Sequence, residues 1–177
     1  MHVQTHFLSG WCIGNLFPLN GRERLFCALA AVLPDFDGMG IIFGQETYWR
    51  FHHILGHNLL FSLLLPAVFC YFSEHKLRVF GLCFALMQLH MVMDLIGSGE
   101  LWTLSYLWPF SSKEFSNDSF GIPWSWALYS WQNLLIGALL IIWTALIIRY
   151  KRRTPLEIIM PNLDRQLVEF FNKGRKP

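Results

Sequence analysis

Histidine and aspartate side chains stand in four short stretches of an otherwise apolar chain of 177 residues. They supply imidazole nitrogens and carboxylate oxygens, and this donor set without thiolates suits zinc, manganese or iron. A catalytic ion of this kind keeps an open position for water, unlike the closed cysteine-rich cage of a structural zinc. The pattern therefore predicts a catalytic site for one or two divalent ions, with zinc favoured. Its candidate ligands are His6, Asp35, Asp37, His52, His53, His57, His90 and Asp94.

The spacing of the later histidines limits which of them share a site. His90 and Asp94 are four residues apart, which places them on one face of a helix, one turn apart. His53 and His57 have the same spacing, whereas His52 is five residues from His57 and diverges from it on a regular helix. His52 can still join the site from a loop before that helix, so both histidines are kept as candidates.

The two earlier aspartates need a different backbone. Asp35 and Asp37 are two residues apart in an LPDFD stretch, and they can converge only where the chain is not a regular helix. Pro34 before them and Gly38 after them favour such a break. We assign Asp37 as the candidate bridging ligand or general base, and Asp94 as the second catalytic carboxylate.

The composition excludes most soluble classes of protein. Hydrophobic residues make up 54% of the chain and charged residues only 15%, where a soluble domain averages about 25% charged. A soluble domain of this length buries only about 70% of the surface that its unfolded chain exposes, which is too little to hide so much apolar surface. Four cysteines are too few for a disulfide scaffold, and a net charge of +2 gives no argument for nucleic acid. The lipid bilayer is therefore the expected partner.

Five apolar segments predict an all-α integral membrane bundle of about four to five membrane-embedded helices. About 20 apolar residues cross a hydrocarbon core, and the segments 54–72 and 128–148 have that length. A third segment, 77–97, has it too but contains His90 and Asp94. The earlier segments, 7–19 and 25–43, are weaker, and they either span the membrane or form a re-entrant pair.

Basic residues predict the orientation of these segments. If the five segments cross the membrane in turn, twelve of the 14 lysines and arginines fall on one side of it. Only Arg50 and Lys113 fall on the other side. Cytoplasmic loops carry the excess of basic residues, so the side with the excess is cytoplasmic in a multi-pass protein. The histidine and aspartate stretches then meet at the non-cytoplasmic end. This orientation is predicted from the lysines and arginines alone. The convergence of the histidines and aspartates is therefore independent support for a single site.

Residues 154–177 differ from the membrane-embedded domain, which we assign to residues 1–153. Apolar side chains recur in this tail at spacings of three and four, a stripe typical of an amphipathic helix. They are Leu156, Ile159, Leu163, Leu167 and Phe170. The tail is therefore predicted to lie on the cytoplasmic membrane surface, and the aromatic loop at 98–125 is predicted to lie at the opposite interface.

Several motifs between residues 5 and 111 resemble, in the same order, those of the bacterial membrane-bound metal-dependent hydrolases, the YdjM-like inner-membrane proteins. The matching pieces are Thr5-His6, the LPDFD stretch at 33–37, the His52…His57 motif, His90-x-x-x-Asp94 with Gly97 beyond it, and the WPFS stretch at 108–111. The third motif of that family usually reads His-Arg-x-x-x-His-Ser, and here His53 replaces the arginine and Asn58 the serine. The resemblance implies an inner-membrane hydrolase, distantly similar to zinc phospholipase C and P1 nuclease, which cleave phosphoesters.

We therefore expect a metal-dependent hydrolase in which the ion activates water against a phosphoester of a lipid or lipid-linked substrate. Two other functions would use the same residues. A membrane carrier or transporter of metal requires a polar path that continues to the cytoplasmic side. A structural membrane protein uses the histidines and aspartates only for hydrogen bonds between helices, and it binds no metal.

Overall fold

Helices form almost all the regular structure in the part of the chain that the structure describes. This computed structural model describes residues 1–99, 102–122 and 124–173. The α-helices are α1 Val3–Gly14, α2 Gly21–Val32, α3 Gln45–Phe51, α4 Leu59–Tyr71, α5 Lys76–Gly97, α6 Trp131–Lys151 and α7 Pro161–Phe171. The 3-10 helices are Leu33–Phe43, which continues α2, and Asn117–Phe120. The predicted all-α fold is confirmed, since the described residues contain one isolated bridge, between Leu104 and Phe115, and no strand.

Three helical stretches of the described residues are long and apolar enough to cross a membrane: Gly21–Phe43, Lys76–Gly97 and Trp131–Lys151. The helix α4 is also apolar, but its 13 residues extend only about 20 Å, whereas the hydrocarbon core is about 30 Å thick. The sequence predicted a spanning segment over 54–72, which is longer than the helix that the structure contains. The helix begins only at Leu59, because Asn58 caps it by accepting a hydrogen bond from the Phe61 N–H (2.8 Å).

The amphipathic tail contains a shorter helix than its apolar stripe indicates. Pro161 occupies the first turn of α7, where the missing N–H of proline costs nothing. Leu156 and Ile159 lie in turns before it. Residues 174–177, which include two of the basic residues counted above, lie outside the described residues. The domain boundary at residue 153 and the position of the tail on the membrane stay predictions.

Small residues let α1 and α2 pack closely. A Cβ atom at Gly10 would lie 2.5 Å from the carbonyl oxygen of Cys27 and 2.6 Å from the Cβ of Ala31. One turn further on, a Cβ atom at Gly14 would lie 3.1 Å from the Cβ of Cys27. Small residues four apart allow helix backbones to approach each other in a membrane. This contact therefore fixes where α1 places His6 relative to α2.

The substitution Gly10→Leu should destabilise the bundle by roughly 1–3 kcal/mol, because the larger side chain has no space between α1 and α2. Thermal unfolding of the purified protein in a single detergent measures the change. The matched control is Gly137→Leu, since Gly137 lies in α6 and a Cβ atom there would have nothing within 4 Å. Equal unfolding temperatures for Gly10→Leu and the wild type would contradict this packing.

An apolar core fills the middle of the bundle between α2, α4 and α5. At the edge of this core, the Phe26 ring stacks on the Phe69 ring, with centroids 4.6 Å apart. The fully buried members of the core include Cys27, Ala30, Val79, Cys83 and Met87. This apolar layer separates the polar cluster at one end of the bundle from the ion pairs at the other end.

Charged residues close the end of the bundle where α2 and α5 begin. Buried Glu23 accepts hydrogen bonds from the backbone N–H groups of Glu74 (3.0 Å) and His75 (2.8 Å). Arg24 donates two hydrogen bonds to Glu157, of 2.8 and 2.6 Å, which tie the segment before α7 to α2. The basic residues at 149–153 stand at the end of α6, at this same end of the bundle.

Candidate metal centre

Four parts of the chain bring polar side chains together at the other end of the bundle. They are the first turn of α1, the 3-10 helix after α2, the turns between α3 and α4, and the last turns of α5. His90 and Asp94 precede the last residue of α5 by seven and three residues, or about 10 and 5 Å along the helix axis. Their exposed fractions are only 1% and 2%. The cluster therefore lies inside the bundle rather than on its surface.

Two histidine rings of this cluster direct their Nε2 atoms at each other. The Nδ1–H of His90 donates to the carbonyl oxygen of Ala31 (2.8 Å), and the Nδ1–H of His57 donates to Oδ2 of Asp37 (3.0 Å). In the neutral rings both Nε2 atoms then carry lone pairs, yet they lie 3.0 Å apart. Two lone pairs at this distance repel each other unless a proton or a metal ion lies between them. Histidines that ligate a metal are held by their other ring nitrogen in the same way.

Two carboxylates stand beside the facing rings. Oδ2 of Asp94 lies 3.0 Å from Nε2 of His90 and 3.5 Å from Nε2 of His57. Oδ1 of Asp35 lies 3.5 and 3.8 Å from the same two nitrogens. Within the described part of the chain, the Oδ2 atoms of both aspartates are buried and have no hydrogen-bond partner. Because a buried carboxylate oxygen without a partner is costly, the cluster calls for a further positive charge.

These residues fit a divalent metal ion. Asp35, His57, His90 and Asp94 each offer one ligand atom, and the four atoms all lie within 4.8 Å of one another. Zinc holds nitrogen and oxygen ligands at about 2.0–2.2 Å in a tetrahedron, which puts the ligand atoms roughly 3.3 Å apart. The separations of the two nitrogens from each other and from the carboxylate oxygens, 3.0 to 3.8 Å, span that value. The unpartnered carboxylate oxygens supply the negative charge that would balance the charge of the ion.

Asp37 orients the cluster from outside it. Its Oδ1 accepts a hydrogen bond from Nδ1–H of His52 (2.8 Å), and its Oδ2 accepts from His57 and from the backbone N–H of Gly56 (3.0 Å each). A 3-10 helix has three residues per turn, so residues two apart point to different sides. Asp37 consequently faces Nδ1 of His57, whereas Asp35 faces Nε2 of the same ring.

Gly56 makes this arrangement possible. A Cβ atom there would lie 2.1 Å from the carbonyl oxygen of Pro34 and 2.8 Å from its carbonyl carbon. Only glycine lets two backbones approach so closely. The turn that carries His57 therefore packs directly on the start of the 3-10 helix that carries both aspartates.

The two adjacent histidines, His52 and His53, have different contacts in the structure. The prediction that His53 and His57 share a helix face is wrong, because both lie in the turns between α3 and α4, and His53 has a positive φ of 67°. The Nδ1–H of His53 donates to the carbonyl oxygen of Thr103 (3.2 Å), whereas His52 contacts Asp37. Neither belongs to the group of four, although both line the adjoining cavity. Their roles as ligands stay predictions.

His6 stands beside the group of four. Its Nε2 lies 3.1 Å from Oδ1 of Asp94, and the centroid of its ring lies 4.0 Å from that of His90. The same Oδ1 contacts the Met1 ammonium group and accepts a hydrogen bond from the Ser98 hydroxyl (3.1 Å). One oxygen of Asp94 is therefore held by neighbouring donors, while the other faces the ring nitrogens.

The electrostatics around His57 favour a cation. Burial lowers the pKa of His57, but the neighbouring carboxylates of Asp37 and Asp94 outweigh burial and raise the pKa to about 9. In contrast, burial and the repulsion from His57 and His52 lower the pKa of His53 to about 2, so this ring is neutral. A divalent ion must displace the His57 proton to bind at Nε2, because metal ligands bind deprotonated. The affinity for metal should therefore fall as the pH falls.

A cavity of about 370 Å³ adjoins the cluster. Its lining includes the carboxylates of Asp35 and Asp94 and the apolar side chains of Met39, Ile41 and Ile42. Pockets for small ligands commonly measure about 300–1,000 Å³. The cavity is therefore large enough for part of a small molecule to reach the cluster.

Comparison with known families supports the resemblance that the sequence motifs indicate. The model of the YdjM inner membrane protein family matches residues 1–156. The chain belongs to this family. No curated protein and no solved structure matches the chain. The resemblance to YdjM-like inner-membrane proteins is thus confirmed, whereas a hydrolase activity and a likeness to phospholipase C or P1 nuclease gain no support from these comparisons.

Sequence patterns did not reveal several groups that surround the YdjM-family cluster. These are the Ala31 carbonyl, the Gly56 N–H, the Ser98 hydroxyl and the Thr103 carbonyl. Gly56 did carry a signal, because a glycine between two candidate ligands marks a close approach of backbones. The two carbonyl groups gave no signal in the sequence, because every residue has a backbone carbonyl.

Proposed function

We propose that the protein is a membrane-bound metal-dependent hydrolase. The observation that carries the proposal is the pair of facing Nε2 atoms of His57 and His90, 3.0 Å apart, with Asp35 and Asp94 beside them. These four residues would hold one divalent ion, and zinc suits imidazole and carboxylate ligands best. When bound, such an ion polarises the scissile group and lowers the pKa of water.

Neighbouring residues of the chain keep these side chains in place. The carbonyl of Ala31 fixes the His90 ring, and the carboxylate of Asp37 fixes the His57 ring. Such outer hydrogen bonds select the tautomer and orientation of a ligating histidine. Since both oxygens of Asp37 are already used, we assign it a positioning role in place of the bridging or general-base role. Asp35 lines the cavity and supplies one of the four proposed ligand atoms.

Two observations favour the hydrolase over the alternatives. A carrier needs a polar path to the other end of the bundle, but the core between α2, α4 and α5 is apolar among the described residues, with Val79 and Met87 fully buried. A purely structural cluster needs satisfied hydrogen bonds, and Asp35 and Asp94 each keep a buried oxygen without one.

The proposed orientation places the cluster on the non-cytoplasmic face of the inner membrane. Because 12 of the 14 basic residues favour the other side, a reporter fused after Arg153 should read cytoplasmic. A reporter inserted near Asn117 should read external. The opposite pattern would put the cluster on the cytoplasmic face and contradict the proposed route of access.

The proposed substrate is a phosphoester of a lipid or lipid-linked molecule. A bound metal would stabilise the charge of an anionic phosphoryl group, and the lining of the cavity combines Asp35 and Asp94 with apolar side chains. We expect the zinc-loaded protein in liposomes to cleave at least one member of a panel of phospholipids, lipid-linked phosphates and nucleotides. Chelator and Asp94→Asn should abolish the cleavage, whereas His75→Ala, at the other end of the bundle, should leave it unchanged.

Other results of this assay would contradict parts of the proposal. Metal-dependent cleavage of a carboxylic ester or an amide, with every phosphoester intact, would refute the substrate class alone. Tightly bound metal without cleavage of any panel member would refute the hydrolase and favour the carrier.

A further inference from the structure

The 3-10 helix Leu33–Phe43 exposes aliphatic side chains immediately beside the metal cluster. Ile41 and Ile42 line the cavity, and their exposed fractions are 53% and 69%. The next residue, Phe43, is 82% exposed. This segment ends the stretch Gly21–Phe43, which is apolar enough to cross a membrane. Its exposed side chains are therefore expected to meet lipid rather than water.

Two aliphatic side chains from other parts of the chain also contribute to the apolar wall of the cavity. Val3, in the first turn of α1, and Leu128, before α6, both line it. Asp35 and Asp94 line the same cavity. The lining therefore combines carboxylates of the metal cluster with aliphatic side chains, some of which belong to a segment that is expected to meet lipid.

We infer that this cavity binds an anionic amphiphile that enters sideways from the bilayer, with its charged group at the metal cluster and one alkyl chain between Ile41, Ile42 and Val3. The position of the charged group rests on the proposed metal site. The volume of about 370 Å³ is near the lower limit for ligand pockets, which favours one chain over two.

The apolar wall acts by orienting the substrate rather than by adding affinity. An alkyl chain leaves lipid tails to enter the cavity, and lipid tails are as apolar as the wall, so little hydrophobic free energy is gained. The wall instead holds the chain in one direction, so that the charged group meets the cluster. Ile41 and Ile42 are therefore positioning residues for the substrate.

Photolabelling tests this site without any need for cleavage. The zinc-loaded protein is placed in phosphatidylcholine nanodiscs with dodecyl phosphate that carries a diazirine at the chain end. After irradiation, the labelled peptides are mapped by mass spectrometry. Label should concentrate on the cavity wall around Val3, 39–42 and Leu128, and unlabelled dodecyl phosphate should compete. The matching dodecanol probe, which lacks the charged group, should label the wall and α6 equally.

Ile42→Trp should fill the cavity and lower the label on two other lining residues, Val3 and Leu128, about tenfold. The matched control is Ile141→Trp in α6, because Ile141 is 62% exposed and does not line the cavity, and it should leave the label unchanged. Equal labelling of the wall and α6 by the phosphate probe, unaffected by Ile42→Trp, would overturn the alkyl site even if phosphoesters are cleaved. Labelling as expected without any cleavage would keep the alkyl site and refute the hydrolase.

Discussion

His90→Ala should lower the affinity of the purified protein for zinc at least about 100-fold, because loss of an outer hydrogen-bond partner alone already costs about 10–100-fold. His90 contributes one of the four converging ligand atoms, and its ring is held by the Ala31 carbonyl. The alanine variant therefore loses both the ligand and the contact between α5 and α2. Equilibrium dialysis against buffered zinc, followed by metal analysis, measures the affinity.

The matched control for this loss is His75→Ala. His75 is also a histidine in contact with a carboxylate, 2.9 Å from Glu23, but it lies at the other end of the bundle. Its replacement should leave the zinc affinity unchanged. His57→Ala and Asp94→Ala should reproduce the effect of His90→Ala, although these residues come from two different parts of the chain. An equal loss of zinc from His75→Ala would contradict the single-site account.

Asp37→Asn should weaken zinc binding by about 10–100-fold, the usual effect of losing an outer partner of a ligating histidine. The substitution keeps the size of the side chain but removes the charge that accepts hydrogen bonds from His52, His57 and the Gly56 N–H. The four ligand atoms themselves remain. Affinity should therefore fall, while the number of nitrogen ligands around the bound zinc should stay the same by X-ray absorption.

The control for Asp37→Asn is Asp118→Asn, because Asp118 is an exposed aspartate in the 3-10 helix Asn117–Phe120. This variant should bind zinc as the wild type does. Complete loss of zinc from Asp37→Asn would contradict a positioning role and make Asp37 a ligand. An unchanged affinity would contradict any role of Asp37 at the site.

The sequence predicted the site most accurately where the positions of the side chains follow from a single regular helix. His90 and Asp94 are four residues apart within α5, and the structure places them together as that spacing requires. The break at Pro34 was also predicted, and the chain there forms a 3-10 helix. The predicted convergence of the two aspartates is only approximate, since they flank His57 from different sides.

Tertiary contacts override the local sequence pattern between α3 and α4. The apolar run after residue 54 predicts a helix that includes His57, but the chain turns instead. Gly56 packs on the Pro34 carbonyl, and Asn58 caps α4 from Leu59. The cavity beside the cluster could not be predicted either, because its walls come from the 3-10 helix, α1 and the segment before α6. Residues so far apart in the sequence share no periodicity.

X-ray absorption at the zinc edge of the loaded wild-type protein tests the central claim most directly, namely that Asp35, His57, His90 and Asp94 hold one divalent ion. The loaded protein should contain one zinc per chain with two imidazole nitrogens and carboxylate oxygens at about 2.0–2.2 Å. The imidazole signal should fall in His90→Ala and stay in His75→Ala. A spectrum with sulfur ligands, a site without imidazole, or zinc that dialyses away from the wild-type protein would contradict this claim.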